Sequence, residues 1–302
     1  MNGLEHYKSR QHLSPSSLCV MARCPRKFFY QCGVGLTDVI ESIPMVFGEA
    51  LHCALPFAFT GELDKALDAF DKVWMGREGD KVRHRAKAIA IIKNFFETHS
   101  SDKSIYLPQL PPKSGVRVDD PRSAYELPFA IDVGLPIPLV GRIDCCGRHR
   151  DTGEFVGVEF KTASRTGTTY FQAFTRSPQF VAYALALETM TGEKVDTIFL
   201  EVIPTMVTND SPFIVPISFL HHYYEPFLQW IQYTFHLMKD CEDREEWPQN
   251  FAGCNSYASF GMAGYSCPYE SLCKLRDWTD GMEMYERVES KPFIIEGCEG
   301  GE

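Results

Sequence analysis

Apolar positions recur along the chain with two periods. Between Leu139 and Lys161 the run LVGRIDCCG, the polar turn HRDTGE with Asp151 and Gly153, and the run FVGVEFK predict a β-hairpin. SAYELPFAI ahead of it, and KVDTIFLEVIP and SPFIVPISF after it, read as further strands. Elsewhere apolar residues return every three to four positions, the helical period. Ser14-Pro15 opens one such segment with a capping serine and a first-turn proline. It carries Leu18, Met21, Ala22, Phe28 and Phe29 inward, and Pro25 predicts a break at Arg23–Cys24. MVFGEALHCALPFAF reads as a helix as far as Pro56, and residues 62–76 and 80–99 as two amphipathic helices. Residues 177–190 form a helix begun by Ser177-Pro178, and a long aromatic-rich helix runs from Leu220 to about Lys239. Residues 33–44, 100–121 and 162–171 read as loops, and regularity fades after Pro248.

Strands interleaved with helices predict an α/β fold. At 302 residues the chain is read as one domain, with residues 53–121 as a helical insertion capping its core. The 44% apolar and 23% charged fractions are those of a globular protein. No apolar run is long enough to cross a bilayer and the N-terminus lacks an apolar signal core, so a cytoplasmic protein without a membrane partner is expected. The net charge of −10 argues against a body coated in basic surface, while leaving room for a local basic groove.

Candidate chemistry lies late on the hairpin. Asp144 is on its first strand; Glu159 and Lys161 are two apart on its second and share a face. A carboxylate pair binds a hard divalent cation. A lysine beside it can orient or deprotonate water and stabilise charge on a phosphate. Taken alone, the same three residues also describe a surface hairpin with a salt bridge. Gly48 and His52, and likewise Gln179 and Tyr183, are one helical turn apart; alone, His52 reads as a core histidine and the other pair as ordinary helix surface.

Eleven cysteines, an odd number without the spacing of a small secreted scaffold, favour metal ligation over disulfides. Cys254, Cys267 and Cys273 fall in a Gly-rich stretch with twelve and five residues between them, which a bound metal would order. Cys19, Cys53, Cys145 and Cys146 fall in apolar patterns and read as buried thiols.

Five short motifs in order give the chain a resemblance: the first helix with its Cys24-Pro25, Gly48-x-x-x-His52, Gly141-Arg-Ile-Asp144, Glu159-Phe-Lys161-Thr and Gln179-x-x-x-Tyr183. Together they resemble the PD-(D/E)XK nuclease superfamily, in its RecB/AddB-like branch with CRISPR-associated and phage exonucleases. The resemblance implies a restriction-endonuclease-like core: a mixed central sheet flanked by helices, with a cysteine-rich closing segment. It implies His52, Asp144, Glu159 and the carbonyl of Phe160 as ligands of Mg²⁺ or Mn²⁺. Lys161 would be the catalytic lysine, with Gln179 and Tyr183 supporting it and contacting the strand. Glu126 is a possible extra metal or water contact. Relatives carry an iron–sulfur cluster, which maps onto Cys24, Cys254, Cys267 and Cys273, within segments 14–32 and 250–278. Four thiolates suit a [4Fe–4S] cluster or zinc; the resemblance favours the cluster. The wide gap after Cys254 departs from the tight Cys-x-x-Cys of relatives, and Cys32 is the reserve for Cys24.

The expected activity is a DNA exonuclease acting on single strands or duplex ends in recombination, repair or processing. Arg23, Arg26, Lys27 and Arg165 would line its channel, with Tyr and Phe stacking on bases. The alternative is a non-catalytic or partner-dependent DNA-end-binding subunit of the same fold. The chain has no G-x-x-x-x-G-K-[ST] phosphate loop, so a motor would come from a helicase partner; a recombinase or single-strand-binding protein are the other candidate partners. A phage or mobile-element origin is the expectation from size.

Overall fold

The structure is a computed structural model that describes residues 7–38, 42–99, 103–115, 120–164, 166–205, 211–254 and 267–288. Its helices are α1 (Pro15–Arg23), α2 (Pro25–Phe28), α3 (Ile43–Phe59), α4 (Leu63–Trp74), α5 (Arg85–His99), α6 (Thr168–Gln172), α7 (Pro178–Thr191), α8 (Tyr224–Arg244), α9 (Phe251–Cys254) and α10 (Glu270–Lys274). Its strands are β1 (Leu36–Asp38), β2 (Tyr106–Pro108), β3 (Tyr125–Ile131), β4 (Leu139–His149), β5 (Phe155–Ala163), β6 (Ile198–Pro204), β7 (Phe213–Ile217) and β8 (Tyr285–Arg287). The larger sheet runs β2-β4-β5-β6-β7, with β3 also paired to β4. β5 and β6 are parallel, while β2–β4, β4–β5 and β6–β7 are antiparallel. The sheet is therefore mixed and the fold α/β, as expected. The chain divides into two compact units, the first of residues 1–40, 130–140 and 225–294, the second of 41–129, 141–224 and 295–302.

In the second unit every residue of β6 is buried, which its nearly unbroken apolar run requires. One face of the sheet is covered by α3, α4 and α5. Ala66, Phe70 and Trp74 make a stripe at intervals of four along α4. With Phe47, Ile91 and Phe95 they join a core that includes Tyr106, Cys145, Val158 and Phe160. The other face meets α7. A Cβ at Gly157 would lie 2.7 Å from Ile198 and 3.0 Å from Leu187, so only glycine lets α7 settle this close to β5.

Local departures from the sequence reading have local causes. α3 runs through Pro56 to Phe59: Leu55 and Ala58 are buried, and the Thr60 hydroxyl donates to the carbonyls of Pro56 and Phe57. α5 begins at Arg85 because the Asp80 carboxylate accepts from the amides of Val82 and Arg83 and holds a turn there. β1, β2 and α6 have three, three and five residues, too few to show a period.

The first unit begins with α1, whose Ser14 and Ser17 form a reciprocal capping box. Cys24 is extended (φ −162°, ψ 109°) between α1 and α2, the predicted break. Aromatic rings close this unit. Phe28 stacks on Trp247 at 5.8 Å, Phe29 meets Trp278 edge-on at 5.3 Å, and Tyr30 lies 5.7 Å from Tyr269. The Tyr269 hydroxyl donates to the Leu36 carbonyl at 2.7 Å beside the antiparallel β1–β8 pair. Among the described residues no helix is long and apolar enough to cross a membrane.

A buried ion pair ties α5 to the sheet. Glu201, central on β6 and fully buried, lies 3.0 Å from His99 Nε2 and accepts from the Tyr106 hydroxyl at 2.9 Å. His99 Nδ1 is 3.0 Å from the Phe95 carbonyl, so both ring nitrogens face acceptors and the ring is an imidazolium. Burial opposes that charge, but Glu201 and the Phe95 carbonyl prevail and raise the pKa of His99. The folded state thus binds more protons than the unfolded chain. Its contribution is complete below about pH 6.5 and fades as pH climbs through the raised value. The urea midpoint of the wild type is expected to fall over that alkaline window, while His99→Gln, starting about 3–5 kcal/mol less stable, shows no such decline.

Candidate active site

The β4–β5 register pairs Cys145 with Val158, which sets Asp144 opposite Glu159 on the same face. Both carboxylates are buried, Asp144 at 9% exposure and Glu159 at 0%. The Phe160 amide donates to Asp144 Oδ2 at 2.9 Å and fixes that carboxylate to the neighbouring strand. Three residues before Asp144, a Cβ on Gly141 would fall 2.5 Å from the Phe129 ring. That ring in turn packs edge-on against Tyr183 at 6.0 Å. The glycine of Gly141-Arg-Ile-Asp144 thus makes room for the ring that backs the site.

His52 enters from α3. Its Nε2 lies 3.2 Å from the Phe160 carbonyl oxygen, and its Nδ1 lies 3.6 Å from Glu126 Oε1 and 3.8 Å from Asp144 Oδ2. Gly48, one turn earlier, faces the Thr162 hydroxyl with room for a methyl group at 3.7 Å. One ligand atom each from His52, Glu126 and Asp144 lies within 4.8 Å of the others. Glu126 reaches this group from strand β3 with a backbone φ of +49°, a left-handed conformation that costs a non-glycine residue about 1–3 kcal/mol.

The charges here are unbalanced. Burial, and then the charge of Glu159, raise the pKa of Asp144. Burial works against a charged His52, yet Glu126, Asp144 and Glu159 outweigh it and raise its pKa. Three carboxylates face one imidazole and the Lys161 ammonium, so the site remains short of positive charge. A divalent cation among these donors would supply it, and one nitrogen with carboxylate oxygens is a donor set that holds such an ion.

Beside this group Lys161 pairs with Glu159. Burial disfavours the ammonium, but Glu159 and Asp144 raise its pKa, and it remains a cation. The Gln179 amide donates to Glu159 Oε2 at 3.2 Å and to the Tyr183 hydroxyl at 2.8 Å. Their spacing of four on α7 makes this array possible. Burial, then Glu159 and Asp144, push the Tyr183 phenol well above its usual range, so it stays a neutral hydrogen-bonding group. The structure therefore brings together every expected residue of the metal and lysine sites. Glu126 stands inside the three-residue ligand group, whereas Glu159 is engaged by Lys161 and Gln179, and the Phe160 carbonyl faces His52 Nε2.

In the first unit Cys24, Cys254, Cys267 and Cys273 draw together. The Arg23 carbonyl accepts from the Asn250 side chain at 2.7 Å and the Arg26 amide donates to the Pro248 carbonyl at 3.1 Å. The chain on both sides of Cys24 is thereby tied to the segment leading into Cys254. The Gln249 amide donates to the Cys273 carbonyl at 3.2 Å. Burial raises the Cys254 thiol, and Cys24 and Cys267 add to it. Burial also pushes Cys273 up to about 11, with the three other thiols acting in the same direction against Arg26. None of the four is in a disulfide. Cys32 has Arg10 and Lys27 as charged neighbours rather than these thiols. A cavity of about 350 Å³ opens beside Cys273, lined also by Arg26, Tyr30, Gln249 and Arg276. Arg165 lies outside the described residues, while Arg23, Arg26 and Lys27 belong to the first unit.

A carboxylate group that could hold a cation, with a lysine at its side on a mixed α/β sheet, is an arrangement suited to phosphodiester hydrolysis. Residues 12–274 match the PD-(D/E)XK nuclease superfamily, and the chain belongs to it. The fold is also similar to the crystal structure of a protein from Eubacterium rectale described as a candidate exonuclease. The TM-score is 0.51 at 14% identity, over 85% of this chain and 90% of that one. No curated protein sequence is significantly similar to the chain.

Glu126 is the position at which site geometry and stability oppose each other. Alanine retains the cost of the left-handed backbone and glycine removes it. Glu126→Gly is expected to melt no lower than Glu126→Ala in thermal denaturation without added metal, and both are expected to lose Mn²⁺ affinity in calorimetric titration.

Proposed function

We propose that the chain is a divalent-metal-dependent deoxyribonuclease, working as an exonuclease on single strands or duplex ends in DNA recombination, repair or processing. The observation that carries this reading is the convergence of His52, Glu126 and Asp144 beside the array of Lys161, Glu159 and Gln179. The likeness to the Eubacterium rectale protein points the same way. In functional terms residues 1–302 are one nuclease domain, with residues 53–121 inserted over one face of its sheet.

His52, Glu126 and Asp144 would hold Mg²⁺ or Mn²⁺; the imidazole nitrogen favours manganese. The bound ion supplies charge neutralisation on the scissile phosphate and acidifies water. The remaining work falls to this chain's own groups. Lys161, kept cationic by Glu159, donates to a phosphate oxygen and opposes charge growing on it. Lys161 Nζ, held beside Glu159, is placed to orient the attacking water. Gln179 and Tyr183 immobilise Glu159, and through Glu159 the lysine. A helicase, recombinase or single-strand-binding protein would deliver the strand.

The four thiols would hold a [4Fe–4S] cluster with a structural role. Zinc is the alternative occupant of the same four thiolates.

End-labelled linear single-stranded DNA is expected to disappear with Mn²⁺ or Mg²⁺ and to survive chelator. Lys161→Ala is expected to be about 10²- to 10⁴-fold slower. If Lys161→Ala matches the wild type, the site is misassigned. If circular single strands are cut as fast as linear ones, the enzyme is an endonuclease.

Protein purified without oxygen is expected to contain iron and acid-labile sulfide, and Cys24→Ser to lose both. Zinc in their place, or no metal, rejects the cluster.

A further inference from the structure

The segment between β5 and α7 has no part in holding a metal, yet it is built around aromatic rings. No Asp or Glu occurs between Glu159 and Glu188, although the chain carries 40 of them, while Lys161, Arg165 and Arg176 do occur there. Within it α6 presents Tyr170 and Phe171, and none of its residues is buried.

Strand register locates α6 relative to the catalytic lysine. Lys161 pairs with Val202, and Val202 with Phe213, so the three form one row across β5, β6 and β7. Strands are about 4.8 Å apart, which puts Phe213 roughly 10 Å from Lys161. α6 lies along that row. Phe171 meets Phe213 edge-on at 6.0 Å, and Tyr170 is close enough to Lys161 and Glu159 for their charges to act on its phenol. Tyr170 contacts Phe171 at 5.4 Å and Phe174 at 5.1 Å, both edge-on. Phe174 stacks at 5.5 Å on the fully buried Phe180 of α7. The group is thus anchored at Phe180 and only partly covered at Tyr170 and Phe171, at the end beside the lysine.

We propose that Tyr170 and Phe171 form a nucleobase-stacking subsite that seats the unpaired base next to the scissile phosphate. The inference rests on the nuclease reading and deepens it by naming what is recognised beside the phosphate. Every base offers a π-face, so such a subsite is tolerant of sequence. A base still paired in a duplex has its faces occupied by its neighbours, so the subsite selects single strands or frayed ends. The segment itself carries no acidic side chain to repel the phosphates that accompany the base.

The test compares two phosphorothioate oligonucleotides of equal length and charge, one of thymidine and one abasic, in anisotropy titrations with Mn²⁺. The full chain is used as wild type, Tyr170→Leu, Phe171→Leu and Tyr170→Phe, with cleavage of ordinary single-stranded DNA measured alongside. The wild type is expected to prefer the thymidine strand. Each leucine variant should lose at least about fivefold in affinity for it while binding the abasic strand unchanged. Tyr170→Phe should keep the preference, which also shows that the segment tolerates substitution. Equal losses for both strands, or none for either, overturn the subsite. A wild type that degrades DNA without preferring bases overturns the subsite and leaves the nuclease reading standing. A wild type that neither binds nor degrades DNA overturns both.

Discussion

The backbone of Phe160 is the ruler of the candidate active site. Its amide fixes Asp144 and its carbonyl meets His52, while the side chains on either side of it in sequence are Glu159 and Lys161. One stretch of β5 therefore sets the positions of a carboxylate from β4, an imidazole from α3 and the lysine. Because β5 is interior to the sheet, paired to β4 on one side and β6 on the other, this stretch has little freedom to move. The site inherits its rigidity from backbone hydrogen bonding, which is largely insensitive to surface substitutions.

Much of this was legible in the sequence because the relevant residues obey a period. Asp144, Glu159 and Lys161 lie on strands whose alternation assigns them a face, and Gln179 and Tyr183 lie one turn apart on a helix. The capping serine and the break at Pro25 were legible as well, since both are decided by two or three adjacent residues. Glu126 was harder to weigh. It occupies an ordinary position in the alternation of β3, and periodicity cannot reveal a single residue turned left-handed. The link between His99 and Glu201 was invisible, because the two are about a hundred positions apart and each belongs to an unremarkable apolar pattern. α6 is shorter than the window in which a helical period can be recognised.

The two units solve the problem of closure differently. In the second, helices cover both faces of a sheet, and the buried carboxylates Asp144, Glu159 and Glu201 each meet a polar partner. The first unites distant parts of the chain mainly through aromatic rings, with Trp247 and Trp278 packed against Phe28, Phe29 and Tyr30. Its cysteines thus converge on a framework that aromatic packing already holds. The Cys24 backbone is extended at a helix break and bonded on both flanks to residues 248–250. A metal centre here would act on side chains whose backbone is already in place.

The buried pairing of His99 with Glu201 bears on how such a nuclease could be made smaller. α4 and α5 look like a removable cap, since they are inserted between α3 and the strands of the sheet. Yet α5 brings the counter-ion of a carboxylate at the middle of β6, the strand next to the one that carries the lysine. Excising the cap alone would strand that negative charge in an apolar layer. A trimmed variant would need position 201 redesigned together with the deletion, and a lineage losing the helices would have to change that glutamate first.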